Sequence, residues 1–398
     1  MKISKTLLTA LSIGLLMTDV SVASPIKPGT ACTKVNQKIT SAGMNLVCLK
    51  SGKKLIWSKT PTTTAVPTPA ATSSTVTAPV APTSFQDLQD HVTGIIQGAW
   101  LKAGIQIKNS SSSLGNVKIL VGPNTVMDDP NTLDSLTLLS KLYSNIAQVK
   151  NLTIIKFGKS DIAWAQQQYD LLHPNNYQPS GAQNQCSGPN GCDGGNAGIN
   201  QNGDGVILLG QGGSYIGQPI VDGGTRASNG QVAAHEYTHT VQMINAPCQG
   251  GCYGDLPQWF LEGSAEWSAT AARFNGNLDQ FLTFRNSDLE GQYSQSSMYT
   301  PEWVTTYLNP NPLFIPNQDN WAYWGKYDRW DTYAIGMMAT EILVDINGPD
   351  SIMKLYKDVG AGQSFAQAFQ SEFGISWADA CPIIGKAIST EIQKAIKR

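Results

Sequence analysis

A chain of 398 residues, 41% hydrophobic and 14% charged with a formal net charge of −2, can form one large domain or two ordinary ones. It carries no strong overall field for nucleic acid. The charge is uneven, however: Lys27, Lys34, Lys38, Lys50, Lys53, Lys54 and Lys59 lie between Ser24 and Lys59 with no Asp or Glu, whereas acidic residues outnumber basic ones from Thr60 onward, which points to different partners for the two parts.

In chain order, Lys2 and Lys5, the apolar stretch Thr6 to Met17 and Ser21-Val22-Ala23 have the form of an export signal. Residues 1–23 are therefore read as removed, and the protein as secreted, extracellular or cell-wall associated. The apolar stretch is shorter than the ~20 residues needed to cross a bilayer, and no later run is long enough, so no membrane span is expected. Export permits disulfides. Local spacing makes Cys32 with Cys48, Cys186 with Cys192 and Cys248 with Cys252 the simplest pairs, although spacing does not fix connectivity. Cys381 stands in an apolar helical context and reads as a small buried hydrophobe.

Residues 24–59 form a small basic module. About 35 residues bury little core, so a Cys32–Cys48 crosslink would supply much of the stability. With Cys32, Cys48 and Trp57, the stretch resembles small Cys-Cys-Trp modules near the start of exported actinobacterial proteins. Its basic face suits an anionic cell-wall polymer; a solvated basic tag is the plainer alternative. Residues 60–83, almost wholly Pro, Thr, Ala, Ser and Val, read as an extended linker.

The main domain, 84–398, begins with mixed elements. Periodicity predicts helices over Phe85 to Leu101, Leu133 to Val149 and Ile162 to Leu172, and strands over Val117 to Val121, Leu152 to Phe157 and Val206 to Leu209. Gly181 to Gly205, rich in Gly, Asn and Gln, is predicted to be loop. Within it Asn200, Asn202, Asp204 and Gly205 mimic half a calcium loop, but the twelfth position is Gln211 rather than Glu, so a turn is the better reading. Gly210-Gln-Gly-Gly213 lacks the Lys and Ser/Thr of a phosphate loop and is taken to let an edge strand approach a substrate backbone. After about Gly230 the pattern is nearly all helical, which makes the class α+β: a mixed half followed by a helical half.

The chemistry sits at that boundary. Ala233-Ala234-His235-Glu236-Tyr237-Thr238-His239 contains HExxH on a predicted helix from Gln231 to Ile244, capped by Ser228 or Asn229 and stopped at Asn245-Ala246-Pro247. Residues four apart share a helix face, so both imidazoles can reach one ion, with Glu236 beside it as general base. A second helix follows, with Asp255 as its expected cap and Pro257 in its first turn. It carries Glu262 and Glu266 on one face, and two carboxylates on a largely apolar helix need a partner or a metal.

Trp259-Phe260-Leu261-Glu262-Gly263-Ser264-Ala265-Glu266 after HExxH resembles the gluzincin group of zinc metallopeptidases, often written W-x-x-E-G-x-A-E. The resemblance implies a thermolysin-like catalytic domain, Zn2+ held by His235, His239 and Glu262, Glu236 as base, and Glu266 orienting one of the histidines. It also implies a peptide or protein substrate. The gap from His239 to Glu262 is longer than in the best-known members, which leaves the swap open: Glu266 as ligand and Glu262 as supporter. Tyr333-Ala-Ile-Gly336 resembles a later Y-x-x-G helix of that group and implies an oxyanion role for Tyr333; a core tyrosine is the alternative. Tyr327 and His173 are weaker candidates, and Trp321, Trp324 and Trp330 could line a cleft or fill a core. Two rival functions remain: a cell-wall-associated binding protein with a structural metal, and a hydrolase of non-peptide amides in the cell wall.

Overall fold

The computed structural model describes residues 26–35, 37–41, 44–51, 54–59, 79–125, 131–174, 178–187, 192, 194–211, 229–246, 256–309, 327–328 and 330–395. The export signal, most of the linker, and the Cys248, Cys252, Asp255, Trp321 and Trp324 positions lie outside them. The chain divides near Val76 into two compact units.

The first unit is a three-stranded antiparallel sheet, β1 (Lys38–Ser41), β2 (Met44–Ser51) and β3 (Lys54–Lys59), in that order. Period-two alternation puts Leu46, Cys48, Trp57, Ile39 and Leu55 on one face, where they form a small core. The Cys32–Cys48 disulfide joins the N-terminal segment to β2 within that core. Lys27, Lys34, Lys38, Lys50, Lys54 and Lys59 are all exposed.

The second unit is α+β. Its first half contains α1 (Ile95–Asn109), β4 (Asn116–Val121), α2 (Thr132–Leu142), β5 (Asn151–Phe157), α3 (Ile162–Leu172), α4 (Gly181–Asn184), β6 (Gly195–Ile199) and β7 (Gly205–Gly210). The sheet order is β4-β5-β7-β6, parallel except for the β6–β7 hairpin. The interior strands β5 and β7 are nearly continuous apolar runs because both their faces are covered. Leu152, Ile154, Ile207 and Leu209 pack into the main core, while Ile155, Phe157, Val206 and Leu208 meet Ala165 and Tyr169 of α3 on the other face.

The fold departs from the sequence expectations in four places. The helix predicted from Phe85 starts only at Ile95, after a 3-10 turn at Val92–Gly94. The Asp87 carboxylate accepts hydrogen bonds from the backbone N–H groups of Thr83 and Ser84, and such local bonds compete with helix. The helix then runs past Leu101, because Ile95, Ala99, Ala103 and Ile107 continue one buried stripe. The helix over Leu133 to Val149 stops at Leu142, where Gln148 folds back and its amide donates to the carbonyls of Ser140 and Tyr143. The Gly181 to Gly205 loop contains α4 and strand β6; pairing with β7 overrides the poor strand propensity of Gly and Asn. Finally, Gly210 lies in an interior strand, and the edge beside it is β6. The Asn200–Asp204 segment is the hairpin turn, with Gly203 at φ 77° and the Asn200 side chain accepting from the N–H groups of Asn202 and Asp204.

The second half contains α5 (Gln231–Asn245), α6 (Gln258–Arg273), α7 (Leu278–Asp288), α8 (Glu290–Ser294), α9 (Pro301–Leu308), α10 (Trp330–Asn347), α11 (Asp350–Gly360), α12 (Phe365–Phe373) and α13 (Trp377–Ala395). Its centre is α10, buried around almost its whole circumference, as a helix apolar on every side must be. It crosses α6 at a pair of glycines: a Cβ on Gly263 would lie 2.1 Å from the backbone of Gly336, and one on Gly336 would lie 2.1 Å from the carbonyl oxygen of Trp259. Only hydrogen at both positions allows this approach, which brings the helix of Tyr333 against the helix of Glu262. Three acids on α10, Asp331, Glu341 and Asp345, are buried. Burial pushes the Asp345 carboxyl up to about 7 against the pull of Lys102, whose ammonium lies 3.6 Å away. No helix among the described residues is long and apolar enough to cross a membrane.

Candidate metal centre

Helix α5 lies over β6 and β7, and α6 packs alongside it. Asn229 precedes it, the Asn229 side-chain oxygen accepting from the N–H of Gln231, and Gly230 takes φ 86° at the turn into the helix. The helix ends at Asn245, within one residue of the expected end. The start of α6 differs from expectation: Pro257 is the residue before its first turn, not inside it.

These two helices bring His235, His239 and Glu262 to one point. Nε2 of His235 lies 3.1 Å from Nε2 of His239 and 3.2 Å from Oε2 of Glu262. Nε2 of His239 lies 3.4 Å from the same carboxylate oxygen. Tetrahedral ligands on zinc at bonds of about 2.0–2.1 Å stand about 3.3–3.4 Å apart, so the triangle has the edge length that a small divalent cation demands. The hydrogen-bond partners fit as well. Nδ1 of His235 faces Oε2 of Glu266 at 3.1 Å, and Nδ1 of His239 faces Oε1 of Gln242 at 2.7 Å. Both partners are acceptors, so each ring donates from Nδ1 and turns the Nε2 lone pair toward the Glu262 oxygen. Three acceptors converging within van der Waals distance require a cation or protons between them.

The electrostatics agree. Burial disfavours charge on His235, yet the Glu262 and Glu266 carboxylates outweigh it and push the imidazole up to about 10. Burial likewise opposes ionisation of Glu262, but the two imidazoles hold it well below the ordinary carboxylate range. Without a metal, protons fill the space between the donors; a metal would displace them. His235, His239 and Glu262 therefore form a group that could hold a metal ion. Glu262 is the carboxylate in the triangle, and Glu266 stands behind His235.

Glu236 is buried beside the group. Burial pushes its carboxyl up, opposed by His239 and His235. Its side chain lies against Gly195 at the start of β6: a Cβ there would fall 2.4 Å from Oε1 and 2.6 Å from Cγ. The glycine-rich segment read as loop thus supplies the wall of the site. The Tyr333 ring stands 5.8 Å from the His235 ring, and Trp330, 64% exposed, stands 5.6 Å beyond Tyr333. Tyr327 packs instead against Tyr307 and Trp303, at 5.0 and 5.5 Å. His173 ends α3, on the opposite face of the sheet from α5, with φ 45°. Sequence reasoning missed Gln242 and Gly195; the position of Gln242, three residues after His239 and so on the same helix side, was the available signal for the first.

No protein-family model matches the chain, and comparisons with curated proteins and with solved structures found no match.

Proposed function

We propose that the chain is an exported zinc metallopeptidase with a thermolysin-like catalytic domain. The observation that carries this reading is the convergence of His235, His239 and Glu262 with Glu236 beside them. A structural metal site needs no such base. Bound there, zinc would supply Lewis acidity and lower the pKa of a water toward about 7. Glu236 takes a proton from the attacking water and passes it to the leaving nitrogen. Burial favours this, since a carboxyl with a raised pKa holds and releases a proton nearer neutrality. Glu266 and Gln242 keep the two imidazoles oriented. Tyr333, whose ring lies against His235, offers its hydroxyl to the developing oxyanion.

A peptide is favoured as substrate because β6 is a sheet edge among the described residues, packed against the site helix, and an extended chain adds to an edge by backbone hydrogen bonds. The purified protein is expected to hold one zinc per chain and to hydrolyse casein, with loss on chelation and recovery on zinc addition. One zinc without hydrolysis of any peptide would leave a structural site. Cleavage of peptidoglycan but not casein would assign the chemistry to cell-wall amides. For the N-terminal unit, the six exposed lysines support an anionic cell-wall polymer as partner. Full-length protein should bind an anionic polymer such as polyphosphate and release it as salt rises; salt-independent binding, or none, would refute that partner.

A further inference from the structure

Gln242 is buried completely between α5 and α6, and the side chain makes three hydrogen bonds. Its amide nitrogen donates to the carbonyl of Leu261 at 3.0 Å and to Oγ of Ser264 at 3.0 Å. A backbone carbonyl can only accept, so the nitrogen end of the amide must face Leu261. The oxygen end is thereby committed to His239, and Nδ1 of that ring must be the donor. The Ser264 arm has the same direction. Tyr356 donates to the carbonyl of Phe260 at 3.2 Å, Ser264 can donate to the Tyr356 oxygen at 3.0 Å, and Oγ of Ser264 is left to accept from Gln242. The orientation of the amide is thus dictated by the Leu261 carbonyl on α6, which cannot reverse its role, and the Ser264 hydroxyl is compatible with it.

We propose that Gln242 is the positioning residue of the second metal-binding imidazole: anchored on α6, it holds His239 as the Nδ1–H tautomer and fixes the spacing of the two helices that carry the ligands. The inference rests on the metal reading given above. It makes the two histidines unequal. His235 is backed by a carboxylate, Glu266, and His239 by a neutral amide. A carboxylate partner raises the basicity of a ligating imidazole more than an amide does. Gln242 thus holds geometry without adding a further negative charge to a site already lined by Glu236, Glu262 and Glu266.

The test is zinc affinity of the full chain, by competition with a chromophoric chelator, in wild type, Gln242→Leu and Gln242→Glu. Both variants lose the bond to the Leu261 carbonyl, but only Gln242→Glu keeps an acceptor for His239, and Ser264 can turn its hydroxyl to donate to the new carboxylate. Gln242→Leu should bind zinc about 10–100-fold more weakly, and Gln242→Glu should fall between it and wild type, because it keeps the acceptor for His239 and loses the anchor on Leu261; affinity equal to wild type would refute the anchor. Equal weakening of both, or of neither, overturns the proposal and assigns Gln242 to packing alone. Wild type that takes up no zinc defeats the metal reading itself and is told apart by that measurement. If Gln242→Leu does not fold, nitrogen NMR of zinc-loaded wild type decides: a slowly exchanging proton on Nδ1 of His239 is expected, and its absence overturns the assignment.

Discussion

Replacing Glu236 with glutamine is expected to lower peptide hydrolysis by about 10²–10⁴-fold, the range for losing a general base, with zinc content unchanged. The substitution preserves size and removes only the capacity to take a proton. Glu236 is not among the three converging donors, so the ion's place is untouched. Stability should be equal or higher, because burial opposes the charge that the variant removes. Loss of metal along with activity would mean a damaged site rather than a missing base, and retained activity would remove Glu236 from the mechanism. Gly195→Ala probes the same group from the other side. Its Cβ would enter the space of the Glu236 carboxylate, so hydrolysis should fall while zinc stays.

Replacing Arg285 with methionine is expected to cost about 3–5 kcal/mol of folding stability at pH 8, the range for stranding a buried partner. The guanidinium is fully buried. Its Nε donates to both Glu341 oxygens at 2.7 and 2.9 Å, and Nη2 donates to Glu391 at 2.7 Å. Nη1 donates to the Tyr293 hydroxyl at 3.0 Å. One side chain on α7 thereby ties α8, α10 and α13 together. Burial already pushes the Glu341 carboxyl up, with Arg285 opposing, so removing the arginine pushes it further. A carboxyl whose folded-state pKa is raised favours the folded state most in its neutral form, below its unfolded value. That advantage is lost as pH rises through the folded value. The deficit of the variant should therefore shrink between pH 8 and pH 5. Urea unfolding at the two pH values measures it; a deficit under about 1 kcal/mol at pH 8, or one that grows toward pH 5, would show that the cluster is not the tie described.

The donors of the candidate metal centre were legible because they belong to two continuous helices. HExxH needs only the 3.6-residue repeat to place His235 and His239 on one side, and Glu262 and Glu266 obey the same geometry on α6. The continuous apolar strands and the long helix around Tyr333 were legible for the same reason: local periodicity survives folding. Which carboxylate completes the triangle depends on how two helices face each other, and no spacing within one helix encodes that. The crossing at Gly263 and Gly336 likewise arises between residues far apart in the chain. Strand β6 was the clearest failure, because Gly, Asn and Ala have little intrinsic preference for strand and become one only by pairing with β7. Its place at the sheet edge, with Gly195 against Glu236, was decided by tertiary contact. Short-range repeats were enough to specify the candidate donor types and the order of most elements. Folding set which carboxylate joins the triangle, the anchoring of the Gln242 amide on α6 and the wall of the site, because each is a meeting of surfaces from separate segments.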